Sequence, residues 1–383
     1  MRGLAACLLL LLASQAAAQE SPDEKRRGLF TDPQDGALDA SEWLLDRKGF
    51  LPMPILITEP AVGYGAGAAL LFFRESLRER AAKVKPGEPL TPPDIYLAAV
   101  AATENGTKVI GGGGLVTFDQ DRWRWRGFVG VPDVNLDFYG VGGDTGTPER
   151  KIGYNVDGAI SSQQIFRRLG SSNNWIVARW IWLDLDATFD SSHPHPILPV
   201  PSRNVTSSGL GGSLEHDSRD NFFTAGAGWK GAIEAMFYSP DWGSDNKYET
   251  YRAQAFGYVP LGKNFILGGK ADLRSANGDV PFYQLPFIEL RGVPVARYQD
   301  RRTAATELEL RWDATPRWAF LGFVGSGRAW GTSKSFGEAE EVTSGGVGFR
   351  YLVARRLGLY AGLDVACGPE KTAIYIQAGS AWR

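Results

Sequence analysis

From residue 264 to residue 313 the chain alternates. Phe265, Leu267, Gly269, Ala271 and Leu273 put apolar or small side chains on one face of an extended segment, and Lys270, Asp272 and Arg274 fall on the other. Thr306, Leu308, Leu310 and Trp312 alternate in the same way with Glu307, Glu309, Arg311 and Asp313. Trp123 and Trp125 alternate with Arg122, Arg124 and Arg126, and Leu357, Leu359, Leu363 and Val365 with Gly358, Tyr360, Gly362 and Asp364. Turn signals between such runs predict sixteen strands, near 52–57, 62–73, 94–103, 107–118, 122–133, 152–168, 174–188, 205–216, 226–238, 248–259, 264–274, 303–312, 317–330, 342–353, 357–366 and 372–382.

Alternation alone fits both a soluble sandwich and a membrane barrel, in which the two faces exchange environments. Number, regularity and aromatic placement favour the barrel. Trp175, Trp312, Trp318, Trp330 and Trp382 lie near predicted strand ends, where an interfacial girdle would sit. The 331 residues from 52 to 382 allow about 21 for each strand with its connection, and a tilted spanning strand needs about 9 to 11. An even count puts both chain ends on one side. The connections 134–151, 189–204, 239–247, 275–302 and 331–341 then lie outside, while 119–121, 171–173, 260–263, 313–316 and 354–356 are short periplasmic turns. Residues 74–93, charged and proline-rich, break this rule, and the sequence offers no physical reason for them. The expected fold is all-β: one sixteen-stranded antiparallel transmembrane β-barrel over residues 51–383.

The N-terminus reads as a cleaved secretory signal over residues 1–18, with Met1-Arg2, an apolar run from Leu4 to Leu12 and small residues Ala16 to Ala18. Leu4 to Cys7 mimics a lipoprotein box but lies inside the apolar run. Cleavage would leave Cys367 as the one cysteine, beside Gly368-Pro369 in a turn, so no internal disulfide is expected. Residues 19–50 form a short, polar periplasmic segment whose start, Ser21 to Arg27, has the composition of a disordered tail. Lys and Arg number 41 against 43 Asp and Glu, which gives no electrostatic ground for a nucleic-acid partner. No run after residue 18 is long and apolar enough for a spanning helix, so entry into a membrane would require a closed sheet. Forty-seven glycines, 22 prolines and 12 tryptophans suit short strands and turns.

Three motifs lie in the C-terminal half. Asp217-Ser218-Arg219-Asp220-Asn221, running to Gly226, is a turn in which Asp and Asn side chains can cap backbone N–H groups. Leu290-Arg291-Gly292-Val293-Pro294, followed by Arg297-Tyr298, lies in the longest outside connection. The terminal strand carries Tyr375, Gly379 and Trp382. These segments resemble, in turn, the D-x-R-D-N turn, the V-R-G-F loop and the terminal assembly signal of the BamA/TamA-type outer-membrane assembly proteins, the bacterial surface antigen family. Pro52-Met53-Pro54 and Thr58 to Gly67 resemble the first hairpin of its short members. The chain departs from the family pattern in lacking a proline after Thr224, in Val293 standing for phenylalanine, and in Arg383 following Trp382. Phe323 to Gly327 also lacks the usual acidic partner of the loop arginine, so Glu307 or Glu309 is expected to pair with Arg291.

The resemblance implies a bacterial outer-membrane barrel whose long 275–302 loop folds into the lumen. It implies a role in outer-membrane biogenesis, either inserting or translocating client outer-membrane proteins or organising lipid. The partners would be outer-membrane lipid, the barrel assembly machinery during insertion, and those clients. The stretch before the barrel is too short for the POTRA domains that the family carries, so the chain reads as a barrel-only member. A second reading is a structural barrel or plugged passive pore without a client. A third, an outer-membrane hydrolase, lacks support: His193 and His195 lie in a proline-rich loop, His216 abuts Asp217, and no G-x-S-x-G elbow accompanies them. No catalytic residues, metal or cofactor are expected.

Overall fold

A computed structural model describes residues 29–82, 93–141, 152–189 and 202–382. The predicted signal, the charged stretch Ser21 to Arg27, and His193 and His195 lie outside the described residues. Sixteen strands follow one another: β1 Gly49–Ile57, β2 Gly65–Phe73, β3 Ile95–Thr103, β4 Lys108–Phe118, β5 Trp123–Phe138, β6 Ile152–Arg168, β7 Asn174–Phe189 and β8 Ser202–Asp217. The second half comprises β9 Gly228–Tyr238, β10 Tyr248–Pro260, β11 Phe265–Gly278, β12 Arg302–Asp313, β13 Trp318–Trp330, β14 Val342–Ala354, β15 Leu359–Cys367 and β16 Thr372–Ala378. Each pairs antiparallel with the next in a single sheet ordered β1 to β16, rolled into a nearly closed barrel. No helix among the described residues is long and apolar enough to cross a membrane.

Period two separates the faces as the sequence requires. Leu308, Leu310, Val324, Val347, Val365 and Ile374 are exposed, whereas Glu307, Glu309, Arg350 and Asp364 on alternate positions are buried. An exposed greasy face opposite a buried charged one is the reverse of a soluble sheet, and hydrocarbon around the barrel accounts for it. The girdle reading needs correction at two positions. Trp175 has the parity of Val177 and Arg179 and is buried against Phe166, and Trp382 is buried at 4% exposure. Trp312 and Trp318 are exposed as expected.

Strand length varies around the barrel. β5 to β8 have 16, 17, 16 and 16 residues, while β1, β2 and β3 have 9 each, β15 has 9 and β16 has 7. The short strands therefore flank the two ends of the sheet. β16 stops four residues before its predicted end because Gly379 takes a left-handed backbone (φ +84°) that bends the chain out of the ladder.

Two segments outside the strands carry local structure of their own. Residues 29–48 fold back as a hairpin-like turn, with a bridge between Thr31 and Leu38, and a short helix α1, Ser41–Leu45. The β2–β3 connection contains α2, Leu77–Ala81, started by a capping box in which Ser76 and Glu79 exchange side chain to backbone bonds. That local signal, Ser-x-x-Glu, gives residues 76–82 their physical reason; residues 83–92 lie outside the described residues.

Candidate functional site

The segment from Leu285 to Arg301 lies on the polar face of β11 to β16. Ile288, Leu290, Val293 and Tyr298 form an apolar cluster with Ala305, Ala329 and Val342. β13 receives them because Gly325 and Gly327 have no side chains: a Cβ there would meet Leu290 and Ile288, each at 2.8 Å. Arg291, 3% exposed, reaches the wall. Its Nε donates to Glu307 Oε1 at 2.9 Å and its Nη1 to Asp364 Oδ2 at 3.0 Å, and its Nη2 lies 2.8 Å from Glu309 Oε2. The guanidinium also sits over the Phe323 ring, 3.5 Å from its centroid. Both acidic residues foreseen as partners are therefore in contact with it. Asp364 was not foreseen, although it is a charge set between Leu363 and Val365. Arg350 adds a second cation, donating to Asp364 at 2.6 Å.

Buried charges persist only when each finds several partners, and this cluster supplies three carboxylates to two guanidinium groups. Trp382 donates its indole N–H to Glu307 Oε1 at 2.6 Å, and the Gly292 N–H reaches the Tyr375 hydroxyl at 3.0 Å. Gly292 itself needs a left-handed backbone (φ +87°). At the other end of the segment Arg297 Nε and the Tyr298 hydroxyl both donate to Glu370, at 2.8 and 2.5 Å.

The β8–β9 turn caps itself as its residues suggested. Asp220 accepts from the Gly226 N–H at 2.9 Å, Asn221 accepts from Phe223 and Thr224, and Arg219 is bidentate on Asp217. It then reaches parts of the chain far away in sequence. Asn221 donates to the Leu357 carbonyl at 3.0 Å, Ser380 N–H donates to the Phe223 carbonyl at 2.7 Å, and Ala225 N–H donates to Ser380 Oγ at 3.3 Å. Trp382 stacks on Tyr258 with centroids 5.7 Å apart. The turn motif, the loop arginine and the terminal tryptophan, which the sequence separates, thus meet in one network.

Beside this network the sheet has a gap. β1 and β16 end the strand order, and no ladder joins them among the described residues. Pro52 and Pro54, two apart on β1, direct their ring nitrogens to the same side, and an edge strand accommodates proline on the side away from its partner. Two backbone donors are therefore missing on the free edge.

Side chains bridge the gap at both ends. On the side of the long loops, Val295 N–H donates to Glu59 and Lys371 donates to the Pro60 carbonyl at 2.9 Å. On the side of the short turns, residues 29–48 cross it. Arg317 of the β12–β13 turn holds Asp32, Asp35 and Asp39 at 2.6, 2.7 and 2.7 Å, and Arg355 pairs with Asp32 and Asp35. Glu42 accepts from Arg356 at 2.6 Å and from Arg78, within α2, at 2.5 Å. Hydrogen bonds from Arg356 and Arg78 hold the Glu42 carboxyl below its usual range, and Arg317 foremost does the same for Asp35. Burial would raise Asp39, but bonds from Ser41 and Arg317 outweigh it. The sequence signal is Asp32, Asp35 and Asp39 within eight residues; sequence reasoning missed it because the Arg317 that gathers them lies some 280 residues away.

No protein-family model and no curated protein matches the chain. Solved structures do. BamA from Haemophilus ducreyi lacking POTRA domains 1–3 matches with a TM-score of 0.58 at 14% identity, over 87% of this chain and 69% of that one. CdiB from Escherichia coli gives 0.56 at 11% identity, over 86% and 62%. CdiB from Acinetobacter baumannii gives 0.50 at 10%, over 85% and 59%. The chain thus spans less than two thirds of the CdiB chains. The fold, a barrel of sixteen strands, is similar to those of BamA and CdiB.

Proposed function

We propose that this protein resides in the bacterial outer membrane and serves its biogenesis, handling client proteins at the gap between β1 and β16. The unpaired edges carry the reading. A client strand can add to an exposed edge by backbone pairing, which requires no catalytic side chain, metal or cofactor. The missing donors at Pro52 and Pro54 keep such pairing incomplete and reversible. The resemblance of the Asp217 turn and the Arg291 loop to the assembly proteins, together with the shared fold, supports the same reading. Depleting the protein and comparing outer-membrane protein and lipid composition tests it. Altered composition is expected, and unchanged composition would discard it.

A second reading is favoured by the Leu285–Arg301 segment, which we take to fill the lumen. A barrel of sixteen strands is otherwise wide enough for a water-filled channel. Low conductance that rises when residues 285–300 are deleted would support a plug; conductance unaffected by the deletion would exclude one.

A further inference from the structure

The wall of the barrel next to the gap has an unusual composition. No residue of β1, β2 or β3 is charged. Phe50, Leu70, Tyr96 and Val100 cover the face turned to hydrocarbon. On the opposite face Leu51, Ile55 and Ala69 are buried, and Met53, Leu97 and Ala99 pack beside Ile55 and Ala69. A wall wetted only by lumenal water has no reason to be apolar, since each such side chain left in water forfeits the gain of burial.

The apolar sector ends abruptly at a cation. Leu115 of β4 is the cross-strand partner of Arg126 of β5. Arg126 lines a cavity of about 960 Å³ that also touches Met53 on β1 and Ala378 on β16, so it runs from the gap to the opposite wall. Its cations are Arg126, Arg179, Arg219, Lys230 and Arg252, and its carboxylates are Glu215 and Glu234. Three of the cations are spoken for: Arg179 by Glu234, Arg219 by Asp217 and Arg252 by Asp272. Arg126 donates only to the Gln164 amide oxygen, at 2.8 and 2.5 Å, and neither it nor Lys230 has an ion-pair partner among the described residues. Asp217 and Asp272 pair with Arg219 and Arg252 from just beyond the lining, so Glu215 is the one carboxylate left near Arg126 and Lys230, and the cavity keeps an excess of one positive charge.

We propose that the cavity binds one anionic phospholipid, its phosphate between Arg126 and Lys230 and an acyl chain along β1 to β3, with the gap as its way in from the bilayer. Charge complementarity selects the headgroup, and the uncharged wall continuous with the free edge selects the chain. The inference rests on the barrel reading but on no client protein.

The test uses the full chain purified in a neutral maltoside detergent and offered phosphatidylglycerol or phosphatidylcholine, with inorganic phosphate as competitor and native mass spectrometry as readout. One phosphatidylglycerol per chain, retained at least tenfold over phosphatidylcholine, is expected. The double variant Arg126→Gln, Lys230→Gln and the wall variant Ala99→Glu should each lower retention about tenfold. Equal retention of the two lipids, or retention indifferent to both variants, would mean lipid held only around the outside and would overturn the proposal. Displacement by phosphate alone would reduce it to an anion site without a lipid. Where a variant fails to fold, seen as lost heat-modifiable migration, competition on the unaltered chain decides. Unchanged membrane composition after depletion would remove the biogenesis reading and leave a positive binding result standing; absent binding with a normal depletion phenotype would do the opposite.

Discussion

Glu42 and Arg356 face each other at 2.6 Å beside the gap between β1 and β16, where no ladder joins the two strands among the described residues. The other oxygen of Glu42 takes Arg78, so one carboxylate joins the β2–β3 connection to the β14–β15 turn. The strap of residues 29–48 closes, with these side chains and one backbone bond from Ala40 N–H to the Val353 carbonyl at 2.7 Å, what the sheet leaves open.

Arg317 should matter more to that strap than Glu42. The Glu42 pairs are exposed, where an ion pair contributes about 0.2–1 kcal/mol. Arg317 is buried with Asp32 and Asp39, and removing one member of a buried pair costs about 3–5 kcal/mol. Arg317→Ala should therefore speed proteolytic cleavage within residues 29–48 by tenfold or more while the barrel keeps its heat-modifiable migration. Glu42→Gln should change the cleavage rate less than threefold. Equal effects would contradict this ranking.

Acid should release the strap. Asp35, Asp39 and Glu42 have carboxyls depressed in the folded state. Stability from a depressed carboxyl is fully present above its unfolded value and lost as pH falls through its folded one. The ordinary values are 3.8 for Asp and 4.5 for Glu, so protection of residues 29–48 should be flat from pH 7 to about 5 and fall below about 4. Cleavage by an acid-tolerant protease across this range reads it out, and a transition near pH 6 would point to other groups.

Arg291→Met should leave Glu307, Glu309 and Asp364 facing one another without their shared cation. A loss of about 3–5 kcal/mol is expected from the denaturant midpoint. Arg291→Lys should recover part of it, because an ammonium cannot reproduce the forked contacts to Glu307 and Asp364. Adding Asp364→Asn to Arg291→Met should soften the loss, since one fewer carboxylate then lacks a partner, although Arg350 also uses Asp364.

Gly379→Val should unseat the C-terminus. Its φ of +84° disfavours a β-branched residue, and a Cβ there would meet the Phe223 carbonyl oxygen at 2.5 Å. Trp382 should then leave Glu307 and Tyr258, observed as greater quenching of its fluorescence by acrylamide in a background where other tryptophans are reduced. Unaltered quenching would show that the terminus holds its place without the turn at Gly379.

Most strands were legible because period two survives wherever one face meets lipid and the other meets charge. Leu308 beside Glu307 and Glu309 is the clearest case. β1 to β3 were placed from turn signals instead, because both of their faces are apolar and alternation vanishes. The site was legible as pieces. Arg291, Asp217 and Trp382 could each be singled out, but their convergence depends on the turn at Gly379 and on the β8–β9 turn reaching Ser380, neither of which has a local pattern. Asp364 illustrates the same limit, since its value as a partner comes from β15 lying near the loop segment in space. Residues 29–48 escaped because their partners are supplied by turns distant in sequence.

The strand lengths bear on the membrane itself. At about 3.3 Å per residue and a tilt near 45°, a nine-residue strand rises about 21 Å and a sixteen-residue strand about 37 Å. Hydrocarbon about 30 Å thick is thus matched on the β5–β8 side and undercut beside β1 and β16. A bilayer around the barrel would meet its lowest wall where β1 and β16 stand, and a polar segment passing there would cross less hydrocarbon than beside β5–β8.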